Sequence, residues 1–190
     1  MEGEVLEKDN AYQCDHCDSK VKAVRRVCVK TLPNVLFLVM RRFEFDYDSM
    51  RKLKVNDRCE FPMELDMEPY TQEGIEARAA MKDETDELKH IYPEEYYKYK
   101  LRGVVVHTGV ADSGHYYSLI KDSSGQWIEF NDTIVTPFDA SEIPSEAFGG
   151  VESVTWVTPD NSTETVKEKT KNAYLLFYER DGSYDTKNME

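Results

Sequence analysis

The chain has 190 residues, of which 40% are hydrophobic and 12% aromatic, so it is long and apolar enough to bury a core. Its 37 acidic and 24 basic residues give a formal net charge of −13, which argues against nucleic acid as the main partner and favours a basic protein surface. No uncharged apolar run exceeds six residues, as in Val35–Met40, whereas a bilayer span needs ~20. The acidic N-terminus lacks the apolar segment of a signal peptide. We therefore expect an intracellular protein, cytoplasmic or nuclear, that does not bind membranes.

Strands are predicted first between residues 24 and 61. Val24–Lys30 is short and rich in valine, and a turn signal at Leu32–Asn34 follows it. Val35–Phe45 is the most apolar strand, and because its first half is apolar at every position we expect both of its faces to be covered. Asp46–Lys54 is a charged loop or hairpin tip, and Val55–Phe61 leads to a break at Pro62.

The next segment, residues 71–95, is an acidic insertion. It is rich in helix formers and acidic side chains and poor in large apolar residues. The pattern predicts a solvated helix or a mobile segment between elements of a sheet.

Strand signals return in the second half of the chain, separated by turns and by a second charged insertion at 161–171. The predicted elements are strands at Tyr96–His107, His115–Lys121, Gln126–Asp132 and Ala173–Arg180 and a short helix at Ser141–Ala147. Residues 183–190 are expected to form a disordered tail. These elements predict an α+β fold that is mostly antiparallel β with minor helices.

His115 is the first candidate for chemistry. It opens a strand after Gly114, and the turn Asp122–Gly125 brings the next strand back beside it. Closing this hairpin about residue 123 places His115 opposite Asn131, and a shift of half a residue places it opposite Asp132. Either neighbour can orient an imidazole and support its protonated form. Spacing alone equally allows a strand histidine whose hydrogen bond only stabilises the sheet, and no Ser or Cys nearby is a recognisable nucleophile.

Cys14 and Cys17 form a C-x-x-C motif, which can supply half of a tetrahedral zinc site. Without a secretory context, the four cysteines are not expected to form disulfides. Cys28 and Cys59 are too far apart to form a second pair, and we interpret them as small apolar core residues. The motif therefore indicates either a zinc site whose other ligands lie elsewhere or a site that has lost its metal.

The order of several motifs resembles that of the ubiquitin-specific proteases, which are papain-like cysteine peptidases that cleave after the C-terminal glycine of ubiquitin. GVVVHTGVADSGHYYSLIKD followed by WIEFNDTIV resembles the histidine box of this family. Before this box, NAYQCDHC resembles a zinc knuckle of the fingers, LPNVLFLVMRRFEFD the long strand that leaves it, and KVNDRCEFPMELDMEPYT the returning segment. After it, FGG resembles a common element that follows the Asn/Asp strand, and AYLLFYER resembles the closing strand. The segment EFPMELDMEPYT is similar to the corresponding segment of the large fat-facets-like members. The resemblance covers residues 2–180 and implies part of the fingers and most of the palm of the family's domain.

The resemblance implies catalytic roles for three residues. His115 matches the general base that takes the proton of the nucleophilic cysteine. Asn131 matches the third position of the triad, and Asp132 matches the adjacent acidic residue that assists or substitutes for it.

The same resemblance implies a channel for the ubiquitin tail. Phe43 and Tyr116 match aromatic positions that line this channel, although aromatic packing within a sheet would explain them as well. Thr108–Gly114 and Asp46–Lys54 match mobile loops that lie over it.

The family's Cys box, its helical thumb and its first C-x-x-C have no counterpart in these 190 residues. The resemblance therefore implies the C-terminal half of a ubiquitin-specific protease catalytic domain, spanning residues 1–182. We expect it to be inactive alone because the nucleophile is missing, and marginally stable because the palm loses core contacts with the other half. Its expected partners are ubiquitin, ubiquitinated proteins and the N-terminal half of the domain, and its zinc site, if present, is only a half-site. The alternatives are a non-catalytic ubiquitin-binding or scaffold protein and a zinc-ribbon interaction module.

Overall fold

The computed structural model describes residues 3–80, 92–158, 161–180 and 182. The chain divides into two compact units, the first made of Met1–Pro33 with Asp66–Lys98 and the second of Asn34–Leu65 with Tyr99–Glu190. The predicted tail at 183–190 lies outside the described residues. In the described part of the chain, no helix combines the length and the apolar character that a membrane crossing requires.

The first unit contains two small antiparallel sheets and one helix. Its elements are β1 (Glu4–Leu6), β2 (Tyr12–Cys14), β3 (Ser19–Val21), β4 (Ala23–Arg25) and α1 (Gln72–Ala80). β1 pairs with β4, and β2 pairs with β3. The predicted strand Val24–Lys30 is therefore wrong beyond Arg25, because the chain then leaves the sheet and makes only an isolated bridge between Val29 and Thr71.

α1 accounts for the described part of the acidic insertion. Thr71 precedes it, and the Oγ1 atom of Thr71 accepts a hydrogen bond from the Gly74 amide at 3.0 Å, which satisfies one of the free donors of the first turn. Gly74 is the only buried residue of α1, so the predicted solvated helix is confirmed over Gln72–Ala80. Residues 81–91 of the predicted insertion lie outside the described residues.

The second unit is built on one antiparallel sheet. The elements that lie wholly or mainly in this unit are β5 (Val35–Val39), β6 (Phe43–Asp46), β7 (Arg51–Lys54), β8 (Glu64–Asp66), β9 (Lys98–Gly109), β10 (Gly114–Lys121), β11 (Trp127–Asn131), β12 (Ile134–Phe138), α2 (Ile143–Ala147), β13 (Val151–Thr158), β14 (Asn161–Glu168) and β15 (Lys171–Arg180). Six strands follow the order β12-β11-β10-β9-β15-β5. β6 with β7 and β13 with β14 form separate two-stranded ribbons. This architecture confirms the predicted fold class.

The core of the second unit is formed by alternate residues of the central strands and by α2, because successive side chains of a strand point to opposite faces. Val104 pairs with Leu119 and Leu176 across the sheet, and all three are almost fully buried. The other nearly inaccessible side chains of this core are Tyr99, Leu101, Val106, Ile143, Ala147 and Tyr178.

The strand predicted over Val35–Phe45 is two strands. β5 ends at Val39, and β6 begins only at Phe43 after a tight turn in which the Arg42 amide donates to the Met40 carbonyl at 2.8 Å. The prediction that both faces of this strand are covered is wrong, since Phe37 and Val39 are 55% and 61% exposed. The reason is that no described element covers the face of the sheet on which these two side chains lie.

The same face is exposed on other strands of the sheet. Cross-strand pairs connect Phe37 through Phe177 and Gly103 to Ile120, so these residues share one face. We call this face the outer face; its exposed apolar side chains are Val35, Phe37, Val39, Tyr116, Ile120, Phe130 and Val135. Exposed apolar surface that spans several strands is typical of an interaction site rather than of a free solvent surface.

The charged stretch predicted as an insertion at 161–171 is instead regular structure. β14 pairs with β13 over eight residue pairs, from Val151 opposite Glu168 to Thr158 opposite Asn161. The threonine and valine residues of this stretch favour extended backbone, and this preference prevails over the charge pattern.

Candidate active site

The hairpin of β10 and β11 positions the candidate catalytic residues. Ser118 faces Phe130, which centres the hairpin on residue 124 and not on 123, so the predicted direct opposition of His115 to Asn131 or Asp132 is wrong. The loop is longer than a tight turn. The Gln126 amide donates to the Asp122 carboxylate at 2.9 Å, and this hydrogen bond closes a loop of five residues. Asn131 is consequently two positions away from direct opposition to His115 along the hairpin and on the same face, which is a diagonal pair that longer side chains can bridge.

His115 and Asn131 form a hydrogen bond across this diagonal. The Nε2 atom of His115 lies 2.6 Å from the Oδ1 atom of Asn131. The Nδ2 group of Asn131 donates to the Glu129 carboxylate at 3.2 Å, which fixes the amide with its oxygen toward the imidazole. The neutral imidazole therefore carries its proton on Nε2. Its Nδ1 lone pair has no hydrogen-bond partner among the described residues and is available to accept a proton.

Asp132 lies close to this pair without joining it. Its nearest carboxylate oxygen is 4.0 Å from Nε2 of His115, beyond hydrogen-bond distance, and its side chain is 77% exposed. Asp132 occupies the turn between β11 and β12 with a φ of +53°, in the left-handed region that Asp tolerates. The geometry therefore gives Asn131 the orienting position and leaves Asp132 as a nearby solvated charge.

A polar network holds the strand that carries His115. The ring of Tyr117 lies nearly parallel to that of His115, with 6.5 Å between centroids, and its hydroxyl donates to the Glu146 carboxylate of α2. The ammonium of Lys171, at the start of β15, contacts both oxygens of Glu146 at 2.8 Å. Burial, and then the Glu146 carboxylate, raise the pKa of Tyr117 well above its usual range, so its hydroxyl remains a donor. β10, α2 and β15 are thereby linked beside the imidazole.

Four aromatic rings form a cluster where β9 ends and β10 begins. His107 lies 5.1 Å from Phe43 and 4.6 Å from Tyr116, and Tyr174 lies 5.5 Å from Tyr116 and 5.9 Å from Phe43 between ring centroids. We call Phe43, His107, Tyr116 and Tyr174 the aromatic cluster. It unites the two aromatic residues singled out from the sequence and adds His107 and Tyr174. The register could have identified His107, because the short turn after β9 pairs it with Tyr116.

His107 is a buried polar group within this cluster. It is 3% exposed, and its Nδ1 atom has no hydrogen-bond partner among the described residues. Burial and then the cation of Lys54 lower the pKa of His107, which keeps the imidazole neutral. Gly114 lies against it so closely that an added Cβ would stand 2.2 Å from its Nε2 atom, so only glycine fits there. The loop predicted at Thr108–Gly114 is accordingly shorter, since β9 ends at Gly109 and β10 begins at Gly114.

The C-x-x-C motif lies in the first unit, in the β2–β3 hairpin. Cys14 ends β2, and Cys17 lies in the turn that follows. The pKa of Cys14 is lowered by the Cys17 amide, then by the Cys17 side chain and by the His16 amide, which favours the thiolate that binds metals. Within the described residues, no group of three or more His, Cys, Asp or Glu side chains could hold a metal ion. The two thiols match a zinc half-site in chemistry and number.

The other two cysteines do not complete that site. Cys28 and Cys59 are half-buried, so the prediction that they belong to the core is only partly confirmed. In the part of the chain that the structure describes, no hydrogen bond or ring contact links any of the four cysteines to His115. The candidate base therefore has no nucleophile beside it in these contacts.

Known proteins resemble this chain over nearly its full length. The sequence model of the ubiquitin carboxyl-terminal hydrolase family matches residues 5–178. Human ubiquitin carboxyl-terminal hydrolase 34 is 42% identical over 189 residues, covering 93% of this chain and 5% of the relative. The probable ubiquitin carboxyl-terminal hydrolase FAF of Drosophila melanogaster is 41% identical over 194 residues, covering 95% of this chain and 7% of the relative, which agrees with the fat-facets-like wording of the sequence.

Solved structures agree with this likeness. The structure of the SAGA Ubp8/Sgf11/Sus1/Sgf73 DUB module bound to ubiquitin aldehyde matches with a TM-score of 0.64 at 29% identity, over 96% of this chain and 32% of that one. A structure of the SAGA DUB module bound to monoubiquitin matches with a TM-score of 0.63 at 28% identity, over 96% of this chain and 31% of that one. The chain thus spans a small part of the curated relatives and about a third of the solved chains. Its motifs, antiparallel sheet and family match show that it belongs to the ubiquitin carboxyl-terminal hydrolase family.

Proposed function

We propose that this chain supplies the general base and its orienting residue to a deubiquitinase, which hydrolyses peptide and isopeptide bonds after the C-terminal glycine of ubiquitin. The observation that carries the proposal is the 2.6 Å contact between His115 Nε2 and Asn131 Oδ1. It leaves Nδ1 as the basic atom, on a half-buried imidazole at the end of a strand. This is the arrangement by which an orienting group holds a histidine in the tautomer that activates a nucleophile.

In the proposed reaction, Nδ1 of His115 takes the proton of a cysteine thiol, and the thiolate attacks the carbonyl carbon of the last glycine of ubiquitin. The carbon–nitrogen bond breaks as the imidazolium returns its proton to the leaving amine, and a thioester remains. Water then attacks the thioester, Nδ1 takes a proton from that water, and the thiol is regenerated with the free carboxylate of ubiquitin. Asn131 accepts the Nε2 hydrogen throughout, so it fixes the ring without adding charge.

The thiol comes, in this proposal, from polypeptide outside these 190 residues. Two observations support this: no described contact joins a cysteine of the chain to His115, and the outer face exposes apolar side chains on four strands. We propose that the Cys-bearing N-terminal half of the domain is the partner that completes the site.

The aromatic cluster supports a role in holding the ubiquitin tail. Tyr116 is 47% exposed on the outer face beside the end of β9, so a peptide that crosses this end of the sheet would contact its ring. His107 is buried beneath Tyr116 and Phe43 and would support the exposed ring from within the sheet. Exposed aromatic rings are well suited to packing against an extended peptide.

Cys14 and Cys17 would provide two ligands of a structural zinc ion, with the other two ligands in the partner half. A tetrahedral zinc site needs four such ligands, and the lowered pKa of Cys14 suits this role. The ion would tie the hairpin to its partner and take no part in the hydrolysis.

The experiment compares three purified proteins: this chain, the Cys-bearing half of the domain of human ubiquitin carboxyl-terminal hydrolase 34, and a joined protein in which that half precedes this chain. Hydrolysis of a fluorogenic ubiquitin C-terminal amide is the readout. We expect turnover only by the joined protein. Turnover by this chain alone would contradict the proposed source of the thiol.

The second candidate is a ubiquitin-binding protein that does not hydrolyse, and the lack of a described cysteine contact at His115 is the observation that favours it. A joined protein that binds ubiquitin without turnover, although its cysteine reacts with a ubiquitin-based electrophile, would support this candidate over the first.

A further inference from the structure

Lys54 binds three backbone carbonyls at one point of the second unit. It is the last residue of β7, and its ammonium donates to the carbonyls of His107 at 3.1 Å and Gly109 at 3.3 Å and to that of Thr170. Among the described residues, no carboxylate forms an ion pair with it. The side chain therefore uses all three of its donors on main-chain oxygens that belong to two other segments.

Two of these carbonyls flank the residue that faces the candidate base. His107 pairs with Tyr116 and Gly109 with Gly114, and between them Thr108 pairs with His115. The ammonium thus holds the end of β9 on both sides of the partner of His115.

The third carbonyl fixes the same strand end from the other side. The Gly109 amide donates to the Thr170 carbonyl at 3.2 Å, so Lys54 and Gly109 share this acceptor. Gly109 has a φ of +112°, a conformation that glycine adopts readily, and it leads into the turn 110–113 that the Val110 amide closes on the Ser113 carbonyl at 2.9 Å. Any movement of this strand end would move the turn and the start of β10.

The site holds two cations close together. Arg42 is 4% exposed, and its described hydrogen bonds run to the carbonyls of Val55, Asp57 and Ala173. Burial, and then repulsion by Arg42, lower the pKa of Lys54 to about 8.

The other ionisable groups near Lys54 do not neutralise it. His107 is kept neutral by burial and by Lys54 itself. Lys169 and Lys171 flank Thr170, and their ammonium groups are engaged by the Ser145 carbonyl and by the α2 carboxylate. Partial burial of an ammonium that has no carboxylate partner among the described residues costs desolvation free energy, which suggests a role beyond stability.

We propose that Lys54 is a positioning residue of the active site, whose ammonium clamps the end of β9 and so sets the placement of Tyr116 and His115 toward the ubiquitin tail. The effect on catalysis rests on the proposed function, but the three hydrogen bonds of the clamp are a property of this chain. Because the ammonium loses a proton as the pH rises through about 8, the clamp weakens over that range.

The first test follows the clamp in the 190-residue chain by NMR. The amide shifts of Gly109 and Gly114 are measured from pH 6.5 to 9.5 in the parent, Lys54→Met, Lys54→Arg and the exposed-lysine control Lys167→Met. We expect the amide shifts to titrate with a midpoint near 8 in the parent and the control, and not to titrate in the two Lys54 variants. At neutral pH, we expect the amide shifts of Lys54→Arg to lie closer to those of the parent than the shifts of Lys54→Met do. Neutral-pH shifts unchanged in Lys54→Met, or no titration in the parent, would overturn the clamp.

The second test measures the consequence in the joined protein. At pH 7, we expect Lys54→Met to lower kcat/KM for a ubiquitin C-terminal amide at least 10-fold, Lys54→Arg to recover most of this loss, and Lys167→Met to leave it unchanged. The melting temperature of each variant controls for folding. Equal kcat/KM in Lys54→Met and its parent would overturn the positioning role. A parent that neither binds nor hydrolyses ubiquitin would instead refute the proposed function, and the NMR result on the clamp would still hold.

Discussion

The direction of one asparagine side chain decides which nitrogen of His115 is basic. Glu129 accepts the Asn131 amide hydrogen at 3.2 Å, so the Asn131 oxygen faces Nε2 and the proton of the imidazole lies there. The motif order was enough to single out both residues from the sequence. Their diagonal relation could not be predicted, because the hairpin loop was lengthened by a side-chain hydrogen bond of Asp122 that no spacing rule contains.

The orienting role predicts the effect of substituting Asn131 in the joined protein. Asn131→Ala removes the acceptor of the Nε2 hydrogen, and we expect kcat to fall roughly 100-fold, within the usual range for general acid–base catalysis. Asn131→Asp keeps an acceptor at the same place and should retain most of the activity. Steady-state hydrolysis of a ubiquitin C-terminal amide measures both.

Glu129→Gln provides the matched control for that prediction. Its amide oxygen can still accept from Asn131, so the orientation of Asn131 and the rate should remain close to those of the parent. If Asn131→Ala proved as fast as this control, Asn131 would not be the orienting residue.

Secondary-structure elements were predicted well where the local sequence pattern determines them. They were predicted poorly where packing or pairing with distant parts of the chain determines them. β10, β11 and the helix that includes α2 were found from alternation and turn signals. The prediction that both faces of β5 are covered was wrong because coverage depends on which elements pack on the sheet, and β14 was missed because its charges resemble those of a solvated loop. The aromatic cluster was half predicted, since His107 and Tyr174 lie on separate strands, β9 and β15.

β15 is held to the core by a buried tyrosine, which predicts a response to alkaline pH. The Tyr178 hydroxyl donates to the Pro62 carbonyl at 2.6 Å, and burial raises the pKa of Tyr178 to about 12. A raised pKa means that the unfolded chain loses this proton first, so stability is intact below pH 10 and falls as the pH rises toward 12. Chemical denaturation at pH 8 and at pH 11 should therefore show a lower free energy of unfolding at the higher pH.

The variant Tyr178→Phe separates this residue from the other tyrosines. It leaves the Pro62 carbonyl without its donor, and we expect a loss of about 1–2 kcal/mol at pH 8 together with a smaller further loss at pH 11. Tyr47→Phe, which changes an exposed side chain of the same unit, should match the parent at both pH values. An identical pH response in Tyr178→Phe and its parent would contradict the assignment.

At the scale of the whole molecule, the sheet has an apolar face that the described residues do not cover. The composition gave no sign of it, because 40% hydrophobic residues is ordinary for a globular protein and the uncovered residues read as core. The net charge of −13 keeps such a chain soluble by repulsion but does not cover the face. The uncovered face and the base without a contacting thiol among the described residues both support the proposal that a partner completes the site.

This reasoning predicts self-association of the chain on its own. Exposed Phe37 and Val39 of the outer face should drive reversible association that increases with salt, because salt screens the acidic repulsion. We expect the double variant Phe37→Thr with Val39→Thr to remain monomeric at concentrations where the parent associates, with little change in melting temperature, since both side chains are already exposed. Sedimentation velocity measures the association, and an equal sedimentation coefficient for the two proteins at every concentration and salt level would contradict the prediction.

The most direct measurement is the rate at which a His115→Gln variant of the joined protein hydrolyses a ubiquitin C-terminal amide, relative to its parent, with ubiquitin binding measured in parallel. Glutamine keeps a polar side chain at this position but cannot accept the proton of a thiol at neutral pH. The account predicts a loss of kcat of at least about 100-fold with ubiquitin affinity retained. A variant that hydrolyses as fast as its parent would show that the base lies elsewhere.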